Sequence, residues 1–187
     1  MTYAQAVDTA LKLIDSERSD FDESLFPFFA DTAQKKIAMY GKRIEKLHTL
    51  EKPDDAEVEV EIPGFYQLIR TEIRGSDEQV NYYIIENTFV TDSEGTIDIY
   101  YYAMPQTIDG ETPDDYEFEV STETHNAIPY YIGYELAKTD DTTLAQMLLN
   151  EWNRYMSIFV NEPKAVTKRI RNVYPINHGN SFFGRRY

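Results

Sequence analysis

The chain has 187 residues, a formal net charge of −15, and 42% hydrophobic and 14% aromatic side chains. That is enough apolar material for one domain, or one domain with an insertion, and argues against general disorder. The lack of cysteine excludes disulfides, thiolate nucleophiles, iron–sulfur clusters and every zinc site that needs sulfur.

No run approaches the ~20 apolar residues of a membrane span. The opening MTYAQAVDTALKLIDSE has no basic leader and carries charge within its apolar stretch, so neither a secretory nor a transit peptide is expected. Charge is split along the chain: residues 1–163 hold all 33 acids against 12 Lys and Arg, net −21, whereas residues 164–187 hold six basic residues and no acid. A body that negative repels nucleic-acid phosphates, and a basic end is drawn to acidic protein surface or to phosphate.

Val7, Ala10, Leu11 and Ile14 recur at helical spacing and predict an amphipathic helix over about 3–17. After a connector with Phe21, Leu25, Phe26 and Pro27, a second periodic run aligns Ala33, Ile37, Tyr40, Ile44 and Leu47. Asp31 or Thr32 is the expected N-cap, and the EKPDD segment the expected stop near Leu50. The period then changes to two. Val58, Val60 and Ile62 alternate with Glu57, Glu59 and Glu61, and further strand-like runs cover 65–74, 79–90 and 96–104, with turns at 75–77 and 92–95. Four short strands so joined read as an antiparallel meander or small sandwich.

Helical periodicity returns over about 126–138 and 141–159, the latter with an apolar face of Leu144, Leu148, Trp152, Tyr155 and Phe159 and with Asp141 as N-cap. Thr139 and Asp140 alone separate these two helices, which makes them an antiparallel hairpin. From Pro163 the period is lost, yet apolar and aromatic residues persist.

The expected fold is therefore α+β: mainly an α-helical bundle of four helices, with an antiparallel β insertion between the second and third and an extended C-terminal arm. The expected divisions are N-terminal helices over 1–56, the β insertion over 57–105, an acidic loop and helical hairpin over 106–162, and the arm over 163–187.

Catalytic signatures are sparse. His48, His125 and His178 are scattered without metal spacing and are expected at surface or capping positions; no nucleophile elbow, phosphate loop or dinucleotide fingerprint occurs. Asp114, Asp115, Glu117 and Glu119 fall in an expected solvated loop, which disfavours paired-carboxylate catalysis. No cofactor or metal is implied. The 15 tyrosines include Tyr82-Tyr83 and Tyr100-Tyr101-Tyr102, which put aromatics on both faces of expected strands. One face serves the core, and the other needs a cover from a helix or a neighbouring subunit. Stacking on single-stranded nucleic acid needs a basic groove, whereas residues 51–141 carry net −19. In the arm, Lys164, Lys168, Arg169 and Arg171 could hold phosphate. Alternatively Lys168, Arg169, Arg171, Tyr174, Phe182, Phe183, Arg185, Arg186 and Tyr187 could anchor a protein interface.

The opening YAQAVDTALKLIDSE with FFADTAQKKIAMYGKRIEKL resembles the N-terminal helices of tailed-bacteriophage head-to-tail adaptor (connector) proteins. The stretch IDIYYYAMPQTIDGETPDDYEFEVSTETHNAIPYYIGYELAKTDDTTLAQMLLNEWNRYMSIF is similar to the adaptor segment in which a strand and a YxxxP turn lead through an acidic loop into a tyrosine-bearing helix hairpin. The resemblance implies a structural virion protein in the neck between capsid and tail. Such proteins form a ring, typically of twelve copies, below the portal, extend the DNA channel without specific DNA binding, and dock a tail or stopper ring. Carried over, residues 125–159 pack in the ring and the nine arm residues contact the portal protein. The alternative from another class is an acidic DNA mimic that inhibits a host nucleic-acid-binding protein; a hydrolase with paired carboxylates is third.

Overall fold

Residues 1–54 and 56–161 are described by the computed structural model. The first helix, α1 (Tyr3–Leu13), starts at a capping box in which the Thr2 hydroxyl accepts from Gln5 N and the Gln5 side chain accepts from Thr2 N. It is one turn shorter than the periodicity suggests, because Asp15 adopts φ +53, a left-handed conformation that ends the helix. The second helix, α2 (Leu25–Tyr40), buries Phe26, Ala30, Ala33 and Ile37 along one face. Asp31 lies inside it rather than capping it. Its Oδ1 accepts from Ile108 N at 3.0 Å.

The expected architecture, a mainly helical bundle interrupted by an insertion, needs correction. The described residues are 41% helix and 26% strand, with four α-helices and two small three-stranded antiparallel sheets among them, and the succession of elements is not that of the expected bundle. Two physical reasons account for the difference. First, the second helix stops at Tyr40 instead of near Leu50. A Cβ at Gly41 would sit 3.0 Å from Ile37 O and 3.2 Å from the Met156 methyl, so a larger residue would crowd the point where the chain leaves α2. Beyond it, β1 (Ile44–Lys52) pairs residue for residue with the last strand. Ile44 and Leu47, which share a helical face by spacing, fall instead on opposite faces of a strand.

Second, the run 79–90 is not one strand. It folds into a hairpin of β4 (Tyr82–Ile85) and β5 (Thr88–Thr91), turned at Glu86-Asn87 with Glu86 at φ +55. With β2 (Val58–Glu61), β3 (Phe65–Ile73) and β6 (Gly95–Ala103) there are six named strands among the described residues, in two sheets ordered β1-β6-β3 and β2-β5-β4. Long-range pairing with β6 decides the fate of 44–52, and local periodicity cannot report it.

The two sheets face each other across one core. Ile97, Ile99, Tyr101 and Ala103 of β6 meet Phe89 of β5, with Ile62, Val80, Phe65, Leu68 and Ile84 around them. A separate core holds the helices: α1 and α2 pack with α3 (Ile128–Ala137) and α4 (Thr142–Asn161), and Trp152 lies 5.0 Å from Tyr131 between ring centres. Helix α3 follows a 3-10 stretch at Thr122–Ala127. Asp141 caps α4 by accepting from Thr143 N and Leu144 N at 3.0 and 2.9 Å. Gly133 lets α1, α3 and α4 converge; a Cβ there would meet Leu148, Ala10 and Ile14. Ile44 borders both cores.

Residues 104–121 form a strap that returns from β6 to the helices. Gln34, buried in α2, donates to Gln106 O at 2.6 Å, and Tyr3 N and Ala4 N donate to Tyr116 O and Asp114 O at 2.8 and 3.1 Å. The strap's carbonyls therefore satisfy amides that the first turn of α1 leaves open.

Candidate functional site

The side of the first sheet turned away from the inter-sheet core carries half-buried tyrosines with arginines over their rings, beside exposed apolar side chains. Strand register places its residues in cross-strand rows: Glu45–Tyr102–Gln67, Leu47–Tyr100–Arg70 and Thr49–Asp98–Glu72. Period-two alternation produces this face, since Ile97, Ile99, Tyr101 and Ala103 of β6 point inward and leave Thr96, Asp98, Tyr100 and Tyr102 outward.

Two β-bulges extend the face. Register shifts between Phe65 and Gln67 and between Leu68 and Arg70 leave Tyr66 and Ile69 without a partner in β6. Both are exposed, at 41% and 39%, and neither belongs to the core. Leu47 on β1 is 50% exposed. Five apolar or aromatic side chains thus share one surface: Leu47, Tyr66, Ile69, Tyr100 and Tyr102.

The polar groups on this surface are held in place. Arg70 stacks over the Tyr100 ring at 4.1 Å and Arg43 over the Tyr102 ring at 4.7 Å. Arg43 also donates to Gln67 Oε1, and Tyr100 Oη donates to Glu72 Oε1 at 3.0 Å, which raises the tyrosine's pKa, with burial adding to the shift. Asp98 is almost fully buried at the centre. The Thr49 hydroxyl donates to its Oδ1 at 2.8 Å and Arg74 reaches both oxygens at 2.8 and 3.0 Å, so its carboxyl titrates below the ordinary carboxylate range, with the Thr49 bond the foremost cause. Arginines pre-set on aromatic rings beside exposed apolar side chains are the composition of protein-interface hot spots.

All nine arm residues singled out as partner-binding, Lys168, Arg169, Arg171, Tyr174, Phe182, Phe183, Arg185, Arg186 and Tyr187, lie outside the described residues. His125 departs from its expected surface or capping position: it is buried, with Nε2 2.9 Å from Val120 O and its ring beside Phe118. Of the expected loop carboxylates, Glu119 ties the strap to the first sheet, accepting from Gln106 N and lying 3.8 Å from Lys46. Among the described residues no three His, Asp or Glu side chains gather so as to hold a metal ion, and no helix is long and apolar enough to cross a membrane.

The sequence points to the uncovered aromatics of β6 but misses Arg43, Arg70, Tyr66 and Ile69. Arg43 falls just before a strand that reads as helix, and the bulges that turn Tyr66 and Ile69 outward leave no periodic trace. Compared with known proteins, the chain matches no family model and no curated protein sequence.

Proposed function

We propose that this chain is a structural virion protein, a head-to-tail adaptor that assembles as a ring below the portal, extends the DNA channel and docks the tail. The observation that carries the reading is the outer face of the first sheet. It presents exposed Leu47, Tyr66 and Ile69 beside half-buried Tyr100 and Tyr102 with their stacked arginines, and in a ring that face is covered by the next copy.

The body's charge supports the same reading. A conduit whose subunits carry net −21 over residues 1–163 repels the phosphates of the passing genome, so DNA moves through without specific binding. Residues 164–187, with six basic residues and no acid, suit the acidic surface of a protein neighbour such as the portal. In this account the protein resides in the virion neck and has no enzymatic activity.

Native mass spectrometry of the purified chain mixed with its portal protein tests the proposal. The expected result is a multi-copy assembly on the portal that is lost in Arg70→Glu, whose circular dichroism stays that of the wild type. Monomers and dimers alone with portal present, or rings unaffected by Arg70→Glu, would overturn it.

A further inference from the structure

The second sheet has an outer face of different character. Its cross-strand rows are Glu59–Val90–Tyr83 and Glu61–Thr88–Ile85, so glutamates line one side and apolar side chains the other. Tyr83 is 47% exposed and Ile85 is 59% exposed, both on β4, an outer strand of its sheet. Glu57 lies beside the Tyr83 hydroxyl, and burial together with that carboxylate raises the tyrosine's pKa. Asn87 donates to Glu61 Oε1 at 2.8 Å. Strands β2, β4 and β5 and the Glu86-Asn87 turn contain no Lys or Arg, so these glutamates have no cation on their own sheet.

A cationic segment with spaced apolar residues complements such a face, and the chain contains one. Residues 164–187 combine six basic residues and no acid with Val166, Ile170, Val173, Tyr174 and Ile176. Met156, near the end of α4, reaches within 3.2 Å of the position a Cβ would take at Gly41, at the joint where α2 gives way to β1. The 26 residues after Asn161 span up to roughly 85 Å at about 3.3 Å each, more than enough to cover the second sheet. A tethered segment also faces its own subunit at an effective concentration of about millimolar, which favours intramolecular docking over exchange between copies in dilute solution.

We propose that the basic C-terminal segment, residues 164–187, docks on the outer face of the second sheet of its own subunit, its apolar residues against Tyr83 and Ile85 and its cations beside Glu57, Glu59 and Glu61. The inference concerns the isolated subunit, with neither ring nor portal present, and its failure leaves untouched the adaptor reading, which is carried by the outer face of the first sheet.

The test uses the full chain, alone and dilute, with the photo-crosslinker p-benzoylphenylalanine replacing Ile85. After irradiation, mass spectrometry maps the crosslinks and gel electrophoresis sizes the product. The expected result is a monomer-sized product linked into residues 164–187, its yield falling at least about tenfold when Glu59→Lys and Glu61→Lys are added, because two reversed charges repel the segment. Both glutamates are exposed, and circular dichroism checks that the variant folds. Crosslinks that fall only elsewhere, a dimer-sized product, or a yield unchanged by the two reversals would each overturn the proposal.

Discussion

Phe89→Ala tests how the two cores are joined. Phe89 is fully buried between the sheets and stacks on Tyr82 with ring centres 5.2 Å apart. Deleting a buried phenylalanine ring costs about 3–5 kcal/mol, of which the aromatic pair supplies roughly 0.5–1.5 kcal/mol. Among the described residues the helical core shares only Ile44 with the inter-sheet core, as a partly buried residue at its margin, so the loss should stay in the sheets. The single tryptophan, Trp152, lies in the helical core and reports on it alone. The expected outcome is amide exchange in β5 and β6 faster by about two to three and a half decades, at about 1.4 kcal/mol per decade. The urea transition followed by Trp152 fluorescence should stay within about 0.5 kcal/mol of wild type, as for independent sites. A fluorescence transition displaced by the full cost would show that sheets and helices unfold as one unit and would refute the reasoning.

Three further outcomes follow from particular contacts. Asp98 titrates below its ordinary value in the folded chain, so its ionised form stabilises the protein above the unfolded carboxylate pKa, and that contribution disappears as pH falls through the lower folded value. Wild type should therefore lose more thermal stability than Asp98→Asn between about pH 6 and pH 3, and equal losses would contradict the assignment. Gly133→Val drives a branched side chain into the point where α1, α3 and α4 converge, and should cost about 1–3 kcal/mol in the Trp152 urea transition. Asp141→Ala leaves two amides of α4 without their side-chain acceptor and should cost about 1 kcal/mol by the same measurement.

What the sequence reveals follows the range of the interactions that decide it. The apolar stripes of α1 and of the Leu148–Trp152–Phe159 face are local and can be read directly, as can the Asp141 cap. The fate of 44–52 is not local. Ile44 and Leu47 satisfy a helical spacing, and only the nine-residue pairing with β6, together with the close packing at Gly41, makes them a strand. The hairpin inside 79–90 is hidden for another reason, since its turn rests on a glutamate at positive φ where glycine or asparagine is the usual signal. At the candidate site, alternation in IDIYYYA announces outward tyrosines on β6, but which arginines meet them depends on bulges and on residues 30 and 59 positions away in the chain. His125 is buried against a backbone acceptor, Val120 O, which no residue pattern in the sequence marks.

In the proposed ring the next copy covers the outer face of the first sheet. Electron cryomicroscopy of the protein bound to its portal measures this directly. The expected image is a ring of copies coaxial with the portal, with Tyr66, Tyr100 and Tyr102 of each subunit buried against the next. Density for isolated subunits, or a ring that leaves those three tyrosines in solvent, would contradict it.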